Sequence, residues 1–409
     1  MDAIGWVDAD TFYCNAERAR FPMLRGLPLG VLGNNGACVI ARTSEMKTAG
    51  IKVGDPVWEA KIKCPDGIYL KRDFDWLGDV SGRMLEEIRL LSPLVEYFSI
   101  DEMGFDAQPV GGSHLKAAEA VRGRIKERIG VPATTGIART RTLAKLLCDV
   151  IKPFGAAAVL SRSEEETLLA SLPASDLCGI GKQRAARLAE CGIGTCLEFA
   201  KADRRLIRRL LTVVGEAIWY EVNGEQVLPL KAERPRHKML SRGGSLGRET
   251  SNPYMILGWM VRNLERLIEE FRFHRVKAGR ISLMICYRDG KERHGFQRAA
   301  RASVIPPSDR FDFLFDDYCS CLRAAYVPGA SATRMHLFAE QLAPEGMTQM
   351  SLFDEPSTPE DVIDALKEEV NAKHGRFALR SAATLALPEI YSDPATFREV
   401  CDIHGKHCF

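Results

Sequence analysis

The sequence of 409 residues lacks the features that mark membrane and secreted proteins. It has no run of about 18 apolar residues, so no membrane-spanning helix is predicted. The N-terminus has no basic segment ahead of an apolar stretch and carries early acidic residues, unlike a secretory signal. The 12 cysteines show no paired spacing, and free thiols in a reducing compartment are the default for such a chain. We therefore expect a cytoplasmic protein without a disulfide framework.

Charge is nearly balanced over the chain, with a net of +2, but it is unevenly distributed. Residues 234 to 301 contain 16 Lys and Arg against 6 acidic residues, whereas residues 345 to 369 contain 8 acidic residues and one Lys. A basic block of this size suggests a polyanionic partner, because contacts to phosphates supply most non-specific affinity for nucleic acids. A solvated basic surface is the alternative that charge alone leaves open.

Hydrophobic periodicity predicts an α+β chain with several domains. Strands are predicted at 4–7, 29–32, 37–41, 95–100 and 133–137, and helices at 44–49, 75–92, 115–129 and 142–150. Residues 166–231 are predicted to be helical and basic, and residues 234–238 to form a basic linker. The segment 239–340 shows the order β-α-β-β-α-β, which predicts a small sheet with helices on one face.

Two predicted strands end in acidic residues: Asp8 follows the first, and Asp101 with Glu102 follows another. Carboxylates at the ends of neighbouring strands can share hard cations, and Mg²⁺ prefers oxygen ligands. Two such ions about 3.5–4 Å apart stabilise the attacking and leaving oxygens of a phosphoryl transfer. Acids at strand ends also cap helices or face water, and spacing alone leaves that alternative open. Asp10 is not expected to be a principal ligand.

Several sequence motifs resemble those of a known family. Residues 7–13, Val-Asp-Ala-Asp-Thr-Phe-Tyr, with Glu17 after them, resemble the first signature of Y-family DNA polymerases. Residues 98–102, Phe-Ser-Ile-Asp-Glu, resemble the second, at the spacing of the family. The strings at 38–42 and 50–56 resemble the UmuC-type branch, the catalytic subunit of bacterial polymerase V. The resemblance runs from residue 4 to about residue 380.

The resemblance implies a right-hand polymerase with a ferredoxin-like palm, small fingers, a helical thumb and a β-α-β-β-α-β little finger. The implied domains are the palm (1–10 and 73–165), fingers (11–72), thumb (166–233), linker (234–238), little finger (239–340) and tail (341–409). Fingers as short as these leave the new base pair open to solvent in the family. The implied enzyme is therefore a low-fidelity polymerase that copies past damaged bases, in DNA repair and SOS mutagenesis, in the bacterial cytoplasm near the nucleoid.

The resemblance also implies roles for the residues of the site. Asp8 and Asp101 would bridge two Mg²⁺ ions, Glu102 would hold the ion that activates the primer 3′-hydroxyl, and the Ala9 carbonyl would be a backbone ligand. The implied dNTP contacts are Phe12, Tyr13, Lys47 and Lys152.

Three of these dNTP contacts have a specific implied role. Tyr13 matches the steric gate that rejects a ribose 2′-hydroxyl, and its plain alternative is a core aromatic. Lys152 matches the lysine on the triphosphate, and its alternative is a helix C-cap. Lys47 stands where many relatives have Arg, and a lysine cannot form a bidentate fork on phosphate.

Further motifs predict the partners, namely primer-template DNA and a sliding clamp. Gly179, Gly181 and Lys182 resemble a helix-hairpin-helix turn that brings backbone N–H groups close to a phosphate. The candidates for phosphate contacts in the basic block are Arg242, Arg248, Arg298 and Arg301. Gln349, Leu352 and Phe353 fit the Gln-x-x-Leu-Phe peptide that docks on the clamp. UmuC-type relatives also work with a UmuD-type dimer and a recombinase filament.

The sequence admits three other interpretations. A catalytically silent accessory protein of the same fold, which recruits partners to the clamp, conflicts with the retained Asp8, Asp101 and Glu102. Another palm-domain nucleotidyl transferase, such as a cyclase, conflicts with the basic block and the clamp motif. Near the C-terminus, Cys401, His404, His407 and Cys408 are metal-ligand types, but their spacing is not a standard zinc pattern, so no metal site is predicted there.

Overall fold

The computed structural model describes residues 3–33, 38–233, 236–289, 292–346, 359–374 and 377–387. They form two compact units that divide between residues 234 and 235. Within the described residues, no helix combines the length and the apolar character needed to cross a membrane.

The first unit contains eight strands and ten helices among its described residues. In chain order they are β1 (Ile4–Ala9), α1 (Phe12–Arg20), β2 (Leu29–Leu32), β3 (Val39–Arg42), α2 (Ser44–Thr48), α3 (Val57–Lys63), β4 (Ile68–Lys71), α4 (Phe74–Arg89), β5 (Val95–Tyr97), β6 (Glu102–Asp106), α5 (His114–Ile129), β7 (Ala133–Ala138), α6 (Arg141–Val150), β8 (Ala156–Val159), α7 (Arg162–Ala170), α8 (Lys182–Ala189), α9 (Cys196–Lys201) and α10 (Arg204–Val222).

The main sheet of this unit has five strands in the order β5-β6-β1-β7-β8. β1 is central and pairs antiparallel with both β6 and β7. Its six residues are all buried, as expected for a strand covered on both faces. Side chains alternate along a strand, so Val7 packs toward α4 and α5, whereas Trp6 packs toward α6. Asp8, two residues after Trp6, therefore faces the α6 side.

The helices around this sheet begin where the sequence supplies caps. The side chains of Asp73, Ser113 and Thr140 accept hydrogen bonds from backbone N–H groups in the first turns of α4, α5 and α6. Gly130 ends α5 in the left-handed region, at φ 84°, where glycine is favoured. A second, three-stranded sheet of order β3-β2-β4 lies between β1 and α4 in the chain.

The second unit realises the predicted order β-α-β-β-α-β. Its elements are β9 (Met239–Thr250), α11 (Pro253–His274), β10 (Val276–Asp289), β11 (Glu292–Ser308), α12 (Phe311–Ala325), β12 (Ala332–Pro344) and α13 (Pro359–His374). The antiparallel sheet has the strand order β11-β10-β12-β9.

One face of this sheet carries α11 and α12. Ile281, Leu283 and Ile285 of β10 are fully buried in the core that these helices share. The residues between them point to the opposite face, as do their cross-strand partners. We call this opposite face the open face and define it by Arg280, Ser282, Met284, Arg301, Arg334, His336 and Phe338.

Candidate active site

Asp8 and Glu102 are direct neighbours across two antiparallel strands of the main sheet. The register pairs Asp8 of β1 with Glu102 of β6, so both side chains lie on the face that α6 covers. The predicted strand 95–100 is too long. β5 ends at Tyr97, and the N–H groups of Phe98 and Ser99 donate to the Glu102 carbonyl over 3.1 and 3.0 Å. Asp101 thus lies in the hairpin between β5 and β6, and Glu102 is the first residue of β6. Neither residue follows the end of a strand directly.

The hairpin that carries Asp101 is fixed by hydrogen bonds. Ser99 Oγ donates to Asp101 Oδ1 over 2.6 Å and accepts from the Glu102 N–H over 3.1 Å. The Ala9 N–H donates to the Asp101 carbonyl over 2.9 Å, which ties the hairpin to the end of β1. The site predicted from the sequence therefore assembles at one end of the paired strands β1 and β6. It contains Asp8, Ala9, Asp101 and Glu102.

Helix α6 supplies two site residues that the sequence analysis missed, Lys145 and Asp149. Lys145 Nζ donates to Glu102 Oε1 and lies 3.7 Å from Asp149 Oδ2. The available signal is the i, i+4 spacing of Lys145 and Asp149, which places both on one face of a helix, with Lys152 two residues after the end of α6. The sequence does not show which side of α6 meets the acids.

Lys152 lies with this cluster. Its Nζ donates to Asp8 Oδ2 over 2.5 Å and to Asp149 Oδ1 over 3.0 Å. The close approach of α6 to the sheet depends on Gly136 of β7, since a Cβ there would lie 2.8 Å from the Cys148 backbone nitrogen and 2.9 Å from the Ala144 carbonyl oxygen. A side chain at residue 136 would push the helix and its lysines away from the carboxylates.

Burial is the main cause of raised pKa values at Asp8 and Asp101. The pKa of Asp8 is raised to about 8, first by burial and then by Glu102, with Lys152 opposing the shift. The pKa of Asp101 is also raised, first by burial, against the hydrogen bond from Ser99. For Lys145 and Lys152, burial opposes the charge, but the hydrogen bonds to Glu102 and Asp8 raise both pKa values. The negative charge of the site is thus balanced by the ammonium groups of Lys145 and Lys152 in this structure.

The donor set suits a hard divalent cation. One carboxylate oxygen each from Asp8, Glu102 and Asp149 can be chosen so that all three lie within 4.8 Å of one another, and oxygen ligands are those that Mg²⁺ and Ca²⁺ prefer. Asp10 is different, because its buried carboxylate accepts hydrogen bonds from Thr134 Oγ1 at 2.9 and 3.1 Å and from the Phe154 N–H at 3.0 Å. Its acceptors are occupied by the protein, in line with the expectation that it is not a principal ligand.

The candidate nucleotide contacts lie at the start of α1 and on α2. The side chain of Phe12 is buried in the core and meets the Tyr13 ring edge-on at 5.8 Å, which leaves only its backbone for a substrate. Tyr13 is partly buried, and its pKa is raised by burial and then by the charge of Asp101. Lys47 is exposed on α2.

The predicted thumb turn has the geometry of a helix entry. Gly179 has φ 96°, a backbone angle that residues other than glycine rarely adopt. Gly181 is the N-cap of α8. Ile180 between them is buried, whereas Lys182, the first residue of α8, is exposed. The turn therefore presents its backbone and a lysine at the surface.

One candidate for a phosphate contact in the second unit is wrong. Arg242 is only 8% exposed and forms an ion pair with Glu270 of α11. The register pairs Arg242 with Leu337, so its side chain points to the helix-covered face and not to solvent. Arg248, Arg298 and Arg301 are exposed.

Residues 349–353 and 401–408, with the predicted clamp motif and the Cys and His cluster, lie outside the described residues.

The fold and the carboxylate cluster are those of a template-directed nucleotidyl transferase. Two family models match the chain, the impB/mucB/samB family over residues 7–149 and its C-terminal domain over residues 237–352. The chain belongs to this family, the Y-family DNA polymerases, and is thus a low-fidelity translesion DNA polymerase, as the motifs predicted. The accessory-protein alternative is not favoured.

Two curated relatives and one solved structure illustrate this membership. The chain is 28% identical to DNA polymerase IV 1 of Bacillus subtilis, over 96% of this chain and 95% of the relative. It is 25% identical to protein UmuC of Salmonella typhimurium, over 91% of each, which agrees with the predicted UmuC-type branch. A Y-family polymerase chimera of Dbh and Dpo4 superimposes with a TM-score of 0.70 at 20% identity, over 84% of this chain and all of that one, and confirms the fold class.

Proposed function

We propose that this chain adds dNTPs to a primer 3′-hydroxyl opposite damaged template bases, at a site where Asp8, Asp101 and Glu102 hold two Mg²⁺ ions. The observation that carries the proposal is the pairing of Asp8 with Glu102 across β1 and β6, on a buried face where Lys145 and Lys152 balance their charge. When bound, the two ions would supply charge neutralisation for the attacking and leaving oxygens.

The residues of the chain position the reactants. Ser99 orients the Asp101 carboxylate through Oδ1, and the Ala9 N–H holds the hairpin beside β1. We assign Ala9 as the backbone ligand. Lys152 would pass from Asp8 to the triphosphate once Asp8 binds a cation, since a lysine is a suitable point charge for phosphate.

Selection of the nucleotide sugar is assigned to Tyr13. Tyr13 is only partly buried, and burial and then the charge of Asp101 raise the pKa of its hydroxyl. A ring in this position would clash with a ribose 2′-hydroxyl. We assign the Phe12 backbone and the exposed Lys47 to the triphosphate, with Lys47 as the looser contact.

DNA would be held by surfaces in both units. In the first unit, the Gly179 turn and Lys182 offer backbone N–H groups and a charge to a phosphate. In the second, Arg301 and Arg334 lie exposed on the open face, and Arg248 and Arg298 are exposed on the outer strands. We accordingly assign residues 1–10 and 73–165 as palm, 11–72 as fingers, 166–233 as thumb, 234–238 as linker and 239–340 as little finger.

Recruitment to replication forks is proposed from sequence. Gln349, Leu352 and Phe353 in the acidic tail, residues 341–409, match the clamp-docking peptide, and tethering would raise the local concentration of a weakly gripping polymerase. A UmuD-type dimer and a recombinase filament are proposed as further partners from the resemblance of the sequence to the UmuC-type branch. A bacterial cytoplasmic location near the nucleoid follows from the same proposal.

Primer extension tests this function. Wild type and Asp101→Ala would be compared on a primed template with Mg²⁺, dNTPs and the clamp, and on a template with an abasic site. Asp79→Ala is the matched control, because Asp79 forms only an exposed ion pair with Arg83. We expect extension by wild type and the control and none by Asp101→Ala. No extension by wild type, even with clamp and UmuD-type partners, would favour the accessory protein.

A further inference from the structure

Lys145 makes two kinds of contact where α6 meets the catalytic hairpin. Its Nζ donates to Glu102 and lies 5.5 and 5.7 Å from the ring centroids of Trp6 and Phe98. The side chain is only 14% exposed. Cation–π attraction strengthens when the cation is withdrawn from water, so the two rings hold the ammonium against the carboxylate.

Arg141, one turn earlier on α6, anchors the same rings. Its guanidinium forms a fork on Glu96 with two hydrogen bonds of 2.8 Å and lies 5.2 and 5.1 Å from the Trp6 and Phe98 centroids. Trp6 and Phe98 meet edge-on at 5.1 Å. Because Phe98 begins the hairpin, this stack fixes the hairpin to β1. The guanidinium of Arg141 binds Glu96. Of the two cations over these rings, Lys145 is therefore the one that contacts Glu102.

Asp149 offers Lys145 a second acceptor. Its Oδ2 lies 3.7 Å from Lys145 Nζ, and its Oδ1 accepts from Lys152 at 3.0 Å. Asp149 is one turn after Lys145 on α6, so a small rotation of the lysine stem would exchange Glu102 for Asp149. The Asp149 side chain is 42% exposed, and it can receive a lysine without losing another buried contact.

We propose that Lys145 is a positioning residue that occupies the cation position at Glu102 in the metal-free enzyme and moves to Asp149 when a divalent ion binds. The inference rests on the proposed metal site. A divalent ion arriving at Glu102 would lie within a few ångströms of the ammonium and repel it, and Asp149 offers the ammonium another acceptor 3.7 Å away. Lys145 keeps Glu102 aligned and its charge compensated before metal binds, and Asp149 lowers the cost of displacement.

Metal binding without turnover tests this proposal. Mn²⁺ affinity of the full chain, bound to primer-template DNA without dNTP, would be measured by electron paramagnetic resonance. The variants are Lys145→Met, which keeps an unbranched stem over the rings, Asp149→Asn, and the double variant. Lys126→Met is the matched control, since Lys126 also lies over a ring, that of Phe154 at 5.1 Å, but within the described part of the chain it forms no ion pair with these carboxylates.

The proposal predicts coupled effects of the two substitutions. Lys145→Met removes the competing cation and tightens Mn²⁺ binding roughly fivefold, the scale of a partly exposed ion pair. Asp149→Asn alone weakens Mn²⁺ binding roughly threefold. In the Lys145→Met background the same substitution weakens Mn²⁺ binding less than about 1.5-fold. Lys126→Met leaves Mn²⁺ affinity unchanged.

The outcomes separate this inference from the proposed function. Unchanged Mn²⁺ affinity in a folded Lys145→Met variant would overturn the inference and leave the metal site intact. Equal weakening by Asp149→Asn in both backgrounds would make Asp149 a metal ligand or a distant charge, and would also overturn it. A wild type that binds no Mn²⁺ would overturn the metal site, and the inference with it.

Discussion

The main sheet of the first unit contains the order β-α-β-β-α-β in β1, α4, β5, β6, α5 and β7, and the second unit has the same order but builds a different sheet from it. In the first unit the initial strand, β1, is central and is flanked by β6 and β7. In the second, the initial strand, β9, is an edge, and the last strand, β12, separates it from β10. Because β1 is central, Asp8 lies beside Glu102 of the neighbouring strand β6. Because β9 is an edge strand, it has a neighbouring strand on one side only. The first arrangement suits chemistry and the second suits binding.

The charges follow the same division. In the first unit, burial raises the pKa values of Asp8 and Asp101, and Lys152 forms an ion pair with Asp8, a pattern typical of catalytic sites. In the second, Arg298 and Arg301 are exposed, as side chains that contact phosphates from the surface must be. Substitutions should therefore separate rate from affinity between the units.

The largest expected effect on stability is from Arg242→Ala in the second unit. The change leaves Glu270 buried without the Arg242 charge, and breaking a buried ion pair costs about 3 kcal/mol. Thermal unfolding of wild type, Arg242→Ala and the exposed control Arg248→Ala would measure the cost. If Arg242→Ala unfolds like wild type but binds DNA weakly, then Arg242 is a phosphate contact after all and the division between its two faces fails.

Sugar selection should depend on the first unit alone. Tyr13→Ala removes the ring, and we expect discrimination against ribonucleotides to fall on the order of 10²-fold, because the pocket no longer excludes the 2′-hydroxyl. Single-nucleotide insertion with dNTP and rNTP pairs measures the ratio. Tyr13→Phe is the matched control, which keeps the ring and should retain most of the discrimination. Equal ratios in Tyr13→Ala and wild type would place the gate elsewhere.

We expect the open face to contribute to the affinity for primer-template DNA but not to the rate of nucleotide insertion. We expect Arg301→Ala to weaken primer-template binding by about 1 kcal/mol, roughly fivefold, and to reduce the salt slope by about one. Stability should not change, because Arg301 is exposed. Fluorescence anisotropy at several salt concentrations would measure both quantities, with the exposed Arg83→Ala in the first unit as control. An unchanged slope would remove Arg301 from the interface.

The smallest expected effect is the pH dependence of that binding. The pKa of His336 on the open face is lowered by partial burial and then by Arg334, so the imidazole is neutral at pH 7. A nearby phosphate favours the charged form, so DNA binding should take up a proton and strengthen about twofold as the pH falls from about 7.5 to about 6. His336→Gln should lose this increment, and anisotropy against pH would detect it. A gain retained in the variant would point to another group.

Much of the first unit was predictable, because its key residues lie next to strong local patterns. Asp8 follows a continuous apolar strand, and Glu102 stands beside a second one. Lys145 and Asp149 were missed because their role depends on which face of α6 meets the sheet, and Gly136 on another strand decides how closely the helix approaches. Sequence spacing gave the face of the helix but not its partner.

The second unit shows where sequence reasoning stops. The order of its elements could be predicted, since alternation identifies strands and helices. Arg242 was misassigned because the side of the sheet it faces depends on the pairing of β9 with β12, a long-range register that no local pattern specifies. The basic character of residues 234 to 301 was evident, but the division of its arginines between two faces was not.

The most direct test of the division between chemistry and binding is a paired measurement of single-turnover insertion and DNA affinity. It would compare Asp101→Ala in the first unit with Arg301→Ala in the second. We predict that Asp101→Ala lowers the insertion rate on the order of 10³-fold or more with DNA affinity unchanged. Arg301→Ala should weaken DNA binding but insert at the wild-type rate on saturating DNA. An Asp101→Ala enzyme within tenfold of the wild-type rate would contradict the account.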